Sequence, residues 1–209
     1  LRPHQEKAIQ AMSRHDKGQV IVPTGGGKTI CMIQDAIEQF KSDRLKTIVV
    51  VAPRILLANQ LCEEFLEFID DVDVLHVHSG ETHHDSTTNS KKIEEWYWAS
   101  KKHQLIFTTY HSLHKIQDAT AMLPDTVYFD EAHNAVQKNF IEAVEHHSMY
   151  VVRNYFFTAT PKHSFTPFKT GMNDTDIFGG VICNVGAPKL VKQGYICLLY
   201  TSDAADDQC

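Results

Sequence analysis

The sequence has no apolar run long enough to cross a membrane, no Cys-x-x-Cys pair, no internal repeat and no excess of basic charge. The first absence argues for a soluble globular protein. The cysteines, at 31, 62, 183, 197 and 209, are odd in number and unpaired in spacing, as in a reduced cytoplasmic protein. The opening Leu1-Arg2-Pro3-His4-Gln5 lacks the apolar core and cleavage site of a signal peptide, and it lacks an initiator Met. The chain therefore reads as starting inside a longer frame. Its 20 Lys+Arg against 26 Asp+Glu give a net charge of −6. That balance neither requires nor excludes a nucleic-acid partner, because such partners bind local patches.

What the chain does have is 209 residues, 43% of them hydrophobic, enough for one large α/β domain with a full core. Residues 4–14, 29–40 and 55–69 carry apolar positions at helical spacing. Thr47–Ala52 is an unbroken, mostly β-branched run typical of a strand covered on both faces. Further strands are predicted at 19–22, 72–77, 103–108, 126–129 and 150–157, and further helices at 90–102, 110–116 and 135–146. Residues 80–89 are polar and rich in chain breakers, which predicts a surface loop. Strands and helices alternating at this rhythm imply βαβ crossovers, a mostly parallel sheet and helices on both faces. Residues 181–184 are expected to complete that sheet, and 189–193 to lead out of it.

Two stretches carry chemistry. The first is Val20-Ile21-Val22-Pro23-Thr24-Gly25-Gly26-Gly27-Lys28-Thr29. An apolar run, a glycine loop and Lys-Thr opening a helix build a phosphate site from backbone N–H groups at a helix N-terminus. Lys28 would reach the β- and γ-phosphates of ATP, and the Thr29 hydroxyl would ligate Mg²⁺. The strict G-x-x-x-x-G-K-[ST] pattern fails at its first position, where Val22 stands. The second stretch is Val127-Tyr128-Phe129-Asp130-Glu131-Ala132-His133. A strand ending in two acids puts carboxylates at the edge of the sheet where ligands of open α/β folds bind. Asp130 would hold Mg²⁺ through water, and Glu131 would deprotonate the attacking water.

Together these motifs resemble the first motor domain of superfamily 2 helicases and translocases, a RecA-like P-loop fold, over residues 1 to about 196. The resemblance implies roles for further residues. Gln5 would read the adenine edge beside the loop formed by Thr24, Gly25, Gly26, Gly27, Lys28 and Thr29. Arg54, in Val51-Ala52-Pro53-Arg54, and Thr108 and Thr109, in Thr108-Thr109-Tyr110, would grip a nucleic-acid backbone. Thr158 and Thr160, in Phe157-Thr158-Ala159-Thr160-Pro161, would join His133 in coupling nucleotide state to strand engagement. Phosphate-directed grips of this kind predict strong salt dependence and weak base preference.

RecQ-like helicases share the glycine loop and Asp-Glu-Ala-His but carry an aromatic-rich loop after it, whereas Asn134-Ala135-Val136-Gln137-Lys138 follows here. Ala52-Pro53-Arg54-Ile55-Leu56-Leu57-Ala58-Asn59-Gln60 resembles the type III restriction-subunit-like group, which implies DNA as the track. A RecQ-like helicase, an RNA helicase, a nucleotide-dependent binding module without turnover and a metabolic kinase are the alternatives. The family also implies a second RecA-like domain in the parent chain, supplying arginines to the γ-phosphoryl group. The 209-residue chain alone is accordingly expected to bind Mg-ATP weakly and hydrolyse it near background.

Other features take plainer readings. His76, His78, His83, His84 and Asp85 are metal-type donors, but two share a face through strand periodicity and three lie in a loop, so no metal is expected there. Cys31 and Cys62 sit on apolar helix faces as core residues. Ile93, Trp96 and Tyr97 form a helix face packed on the sheet. Residues 197–206 match one reading frame of a sequencing-library adapter, so 197–209 are expected to be a non-native tail.

Overall fold

A computed structural model describes residues 1–186 and 191–194. The expected tail at 197–209 and part of the 189–193 segment lie outside the described residues. Eight parallel strands form one sheet: β1 Lys17–Ile21, β2 Thr47–Ala52, β3 Val72–Val77, β4 Asp85–Ser86, β5 His103–Thr109, β6 Thr126–Phe129, β7 Arg153–Thr158 and β8 Val181–Asn184. Their order across the sheet is β4-β3-β5-β2-β6-β7-β1-β8. The helices are α1 Pro3–Arg14, α2 Lys28–Gln39, α3 Ile55–Phe68, α4 Ser90–Ala99, α5 Leu113–Asp118, α6 Ile141–Tyr150 and α7 Thr175–Phe178, with a 3₁₀ turn at Ala132–Asn134. Among the described residues no helix is long and apolar enough to cross a membrane.

Strand alternation divides the core in two. Ile48, Val50 and Ala52 of β2 join Leu105, Phe107, Tyr128, Tyr155 and Phe157 beneath α1, α2 and α3. Val49 and Val51 face the other way with Ile106, Val127, Phe129 and Phe156, covered by α4, α5, α6 and α7. Every residue of β2 is buried, as a strand with helices on both faces must be. Trp96 and Tyr97 pack against the second layer as their helical spacing predicts.

The structure departs from the sequence reading in four places. The helix predicted from Ala135 starts at Ile141. Before it, the Asn134 amide donates to Glu131 O at 2.9 Å and Gln137 donates to Asn134 Oδ1 at 3.1 Å. These local bonds compete with a helical ladder. Tyr150 ends α6 instead of opening β7. The predicted loop at 80–89 contains β4, two residues paired with Leu75 and His76. The four-residue α7 carried no periodic signal, being too short for one.

At the N-terminal ends of β6 and β7 a buried polar network locks α2 to the sheet. Arg153 donates to both oxygens of Asp35, at 2.8 and 3.0 Å. The Tyr128 hydroxyl and the Gln39 amide also donate to Asp35 Oδ2. Removing one member of such a pair leaves a buried charge. Asp35→Ala is therefore expected to lower unfolding free energy by about 3 kcal/mol, and Asp35→Ala with Arg153→Met to lower it by less. Denaturant melts of both variants check the ordering.

Candidate active site at the carboxyl edge of the sheet

Because all strands run in parallel, the segments leaving β1, β2, β5, β6 and β7 emerge at one edge, where open α/β sheets bind ligands. β6, β7 and β1 are neighbours, so the glycine loop, the Asp-Glu pair and Thr158 meet on one side. β2 and β5 deliver Arg54 and Thr109 to the other.

The glycine loop is shaped by its own backbone and by the first turn of α1. Gly25 and Gly27 have φ of 81° and 77°, conformations that glycine adopts without a Cβ penalty. A Cβ on Gly27 would also collide with the Gln5 amide. Three side chains of one short segment hold the loop's carbonyls. Arg2 Nη1 donates to Gly25 O at 3.4 Å, His4 Nε2 lies 2.6 Å from Gly26 O, and Gln5 Nε2 donates to Gly27 O at 3.2 Å. In a trans peptide the following N–H points opposite to the C=O. With the Gly26 and Gly27 carbonyls turned toward α1, the N–H groups of Gly27 and Lys28 face away from it, at the start of α2. That is the arrangement an anion needs. Gln5 Oε1 also accepts from Arg2 N at 2.9 Å, tying the N-cap of α1 to its first turn.

Val22 is buried, and its N–H donates to Thr158 O at 3.1 Å. The position where the strict motif has glycine here continues β1 as core and ties the loop to the end of β7.

Lys28 faces both acids. Its Nζ lies 3.0 Å from Asp130 Oδ1 and is hydrogen-bonded to Glu131 Oε1. The contact to Asp130 lacks hydrogen-bond alignment, and Asp130 Oδ1 is otherwise a buried oxygen without a partner. Burial raises the Asp130 pKa, with Lys28 opposing the shift and Glu131 adding to it. Glu131 has φ of 47°, a left-handed backbone unusual for a side-chain-bearing residue. Such strain collects at functional sites. His133 Nδ1 lies 3.6 Å from Glu131 Oε2 and 2.9 Å from Thr158 Oγ1, which in turn accepts from Thr160 N at 3.1 Å. The three expected coupling residues thus form one chain from the acid to the end of β7.

The nucleic-acid candidates divide. Arg54 is exposed at the N-terminus of α3. Thr109 is buried, and its hydroxyl accepts from Ser112 N at 3.3 Å. Thr108 is fully buried, and its hydroxyl donates to Val77 O at 2.7 Å. Its side chain braces β5 against β3 and presents no surface to solvent.

Three residues escaped the sequence reading. His4 lies inside the quoted N-terminal motif and is 2% exposed. Tyr110 lies inside the Thr-Thr-Tyr motif, and its buried hydroxyl donates to Asp130 O at 2.6 Å. Glu64 of α3 is exposed and lies near the Thr29 side chain, and partial desolvation, then Glu67 and Asp130, raise its pKa. Motif position was a signal for the first two; nothing local marks Glu64.

A parallel sheet with a glycine loop, a lysine and paired acids at its carboxyl edge defines a RecA-like nucleotide-binding motor domain of the superfamily 2 helicase kind. Residues 1–163 match the family described as "Type III restriction enzyme, res subunit", and the chain belongs to that family. The fold is similar to the Type ISP restriction-modification enzyme LlaGI, as a nuclease-deletion mutant in complex with a DNA substrate mimic. There the TM-score is 0.78 at 23% identity, covering 93% of this chain and 20% of that one. LlaBIII, an ATP-dependent enzyme of the same type bound to DNA, gives 0.77 at 23%, covering 93% and 15%. The Hef helicase domain of Pyrococcus furiosus gives 0.65 at 20%, covering 92% and 40%. At these identities the likeness is one of fold, and the chain spans only a minor part of each. No curated protein matches the chain.

The raised Asp130 pKa has a consequence for stability. The native state holds that proton to higher pH than the unfolded chain, whose carboxylate has the ordinary value of 3.8. Stability therefore falls as pH rises through the window above 3.8. Asp130→Asn is expected to raise Tm at pH 7 by about 2–4 °C. The gap should close as the pH approaches 3.8. Calorimetry across that range checks it.

Proposed function

We propose that residues 1–196 are the first motor domain of an ATP-dependent helicase or translocase that moves on DNA. A second RecA-like domain in the parent chain would complete the ATP cleft, and residues 197–209 would be foreign to it. The observation that carries this reading is Lys28 held between Asp130 and Glu131, at the mouth of a loop whose carbonyls α1 turns back. DNA is favoured over RNA because the LlaGI and LlaBIII structures are DNA complexes and the family is a restriction subunit.

The residues fit ATP and Mg²⁺. The Gly27 and Lys28 N–H groups are directed for phosphate, and Asp130 Oδ1 has an unmet acceptor capacity. Mg²⁺, when bound by Thr29 and through water by Asp130, supplies charge neutralisation on the phosphates. Lys28 exchanges its carboxylate partners for the β- and γ-phosphates, because a dianionic phosphate competes for the same cation. Glu131, relieved of that contact, takes the proton from the attacking water. His133 carries the change at Glu131 to Thr158 and Thr160, while Arg54 grips the strand's phosphates. Gln5 uses one donor and one acceptor within the protein. Its amide keeps one of each for the adenine edge.

A nucleotide-dependent binding module without turnover is the second reading. Intact Lys28, Asp130 and Glu131 weigh against it, since binding alone needs no water-activating acid.

Lys28→Ala is expected to weaken Mg-ATP binding about tenfold or more, measured with a fluorescent ATP analogue on this chain. Glu131→Gln should keep that binding. In the natural full-length protein it should cut DNA-stimulated ATPase by about 10²-fold or more. Equal rates for wild type and Glu131→Gln would favour the binding module.

His4→Ala and Gln5→Ala each release one glycine carbonyl, so both should weaken phosphate binding. Only Gln5→Ala should also narrow the preference for ATP over GTP. Competition titrations with ATP, GTP and inorganic triphosphate separate the two effects.

A further inference from the structure

Toward the β4 edge of the sheet, on the face that α1, α2 and α3 cover, α3, β3 and the segment before β4 line an open cleft of about 870 Å³ whose walls include Cys62, His76, His84, Asn59, Gln60 and Glu63. Cys62 and His76 are each 1% exposed, and His84 is exposed. One donor atom from each of Cys62, His76 and His84 lies within 4.8 Å of the others. Cys62 does pack as a core residue, as its helix face predicts. The tertiary structure also sets it beside two histidines from elsewhere in the chain, which no sequence spacing revealed.

Three atoms this close share a centre within about 2.8 Å of each, so closing on a Zn²⁺ at about 2.0–2.3 Å needs shifts under about 1 Å. A second observation points the same way. His76 Nε2 is buried without a hydrogen-bond partner. Orphaned buried polar atoms are costly, and a metal would remove the cost. We propose that Cys62, His76 and His84 form a Zn²⁺ site, with solvent in the fourth position. Thiolate and imidazole donors select Zn²⁺ and its neighbours in the transition series over Mg²⁺ or Ca²⁺.

The protons balance. His78 Nδ1 accepts from Gly80 N at 3.1 Å, so neutral His78 carries its proton on Nε2 and donates it to His76 Nδ1, 3.1 Å away. Neutral His76 then carries its own proton on Nε2. Binding through Nε2 moves the His76 proton to Nδ1, which becomes the donor to His78 Nε2. His78 in turn holds its proton on Nδ1, and Gly80 N–H turns away. The Cys62 thiol becomes a thiolate because a bound cation favours it. One proton leaves per metal. The ion ties residues 79–84 to α3, the helix that opens at Arg54. The same segment already meets α3 through Asn59 Nδ2 and Glu81 O, 3.2 Å apart.

Cobalt titration of the untagged, thiol-reduced chain tests this without reference to nucleotide. Co²⁺ should bind at one equivalent with tetrahedral d–d bands and a thiolate-to-cobalt charge-transfer band, and Zn²⁺ should bleach both. Cys62→Ala should abolish the charge-transfer band. His84→Ala, on an exposed segment where folding is not at stake, should weaken Co²⁺ binding at least about tenfold. His83→Ala, its exposed neighbour, should leave affinity unchanged. A charge-transfer band that survives Cys62→Ala would overturn the proposal, as would an octahedral spectrum. So would wild-type affinity in His84→Ala, or loss of binding in His83→Ala.

Discussion

Parallel strand direction is the constraint on which the site depends. Each βαβ crossover returns the chain to the same end of the sheet, so motifs separated by about a hundred residues are delivered to a single edge. Order within the sheet then assigns partners. β7 lies between β6 and β1, which puts Thr158 between the acids and the glycine loop. An antiparallel pairing anywhere among these strands would send one motif to the far end.

The two ends of the sheet handle charge differently. At the amino end, Arg153 and Asp35 are bidentate and joined by Tyr128 and Gln39, a fully partnered network that rigidifies α2 against β6 and β7. At the carboxyl end Lys28 is shared between two acids, and the buried Asp130 Oδ1 has only that ion pair and no aligned hydrogen bond. A buried group with unmet capacity costs stability, and such cost is commonly accepted where a ligand is to bind. The rigid end anchors α2, and α2 carries Lys28 at its first residue. Fixing the helix at its far end thus fixes where the lysine begins.

Loop shaping here is done from outside the loop. Glycine permits the conformations of Gly25 and Gly27 but does not choose among them. The choice is made by His4 and Gln5, with Arg2 adding a longer contact. Those side chains project from the start of α1, held against α2 by Ala8 and Met12 in the shared core. The N-terminal motif therefore shapes the glycine loop from outside it.

The sequence by itself determined the alternation of strands and helices, the double-sided burial of β2, the family, and the glycine loop and acid pair. Each is written locally, in apolar periodicity or in residues adjacent along the chain. Short elements such as β4 and α7, and the late start of α6, were not legible. Two to four residues carry no period, and the Asn134 and Gln137 side-chain bonds outweigh helix propensity. Only the tertiary structure decided which functional residues touch. It gave Thr108 to the interior, joined His133 to Thr158, set His4 and Tyr110 behind the loop and the acids, and brought Cys62 to His76 and His84. Those pairings depend on strand order and on which helix covers which face. Both follow from packing the whole chain at once, so no stretch of it could state them alone.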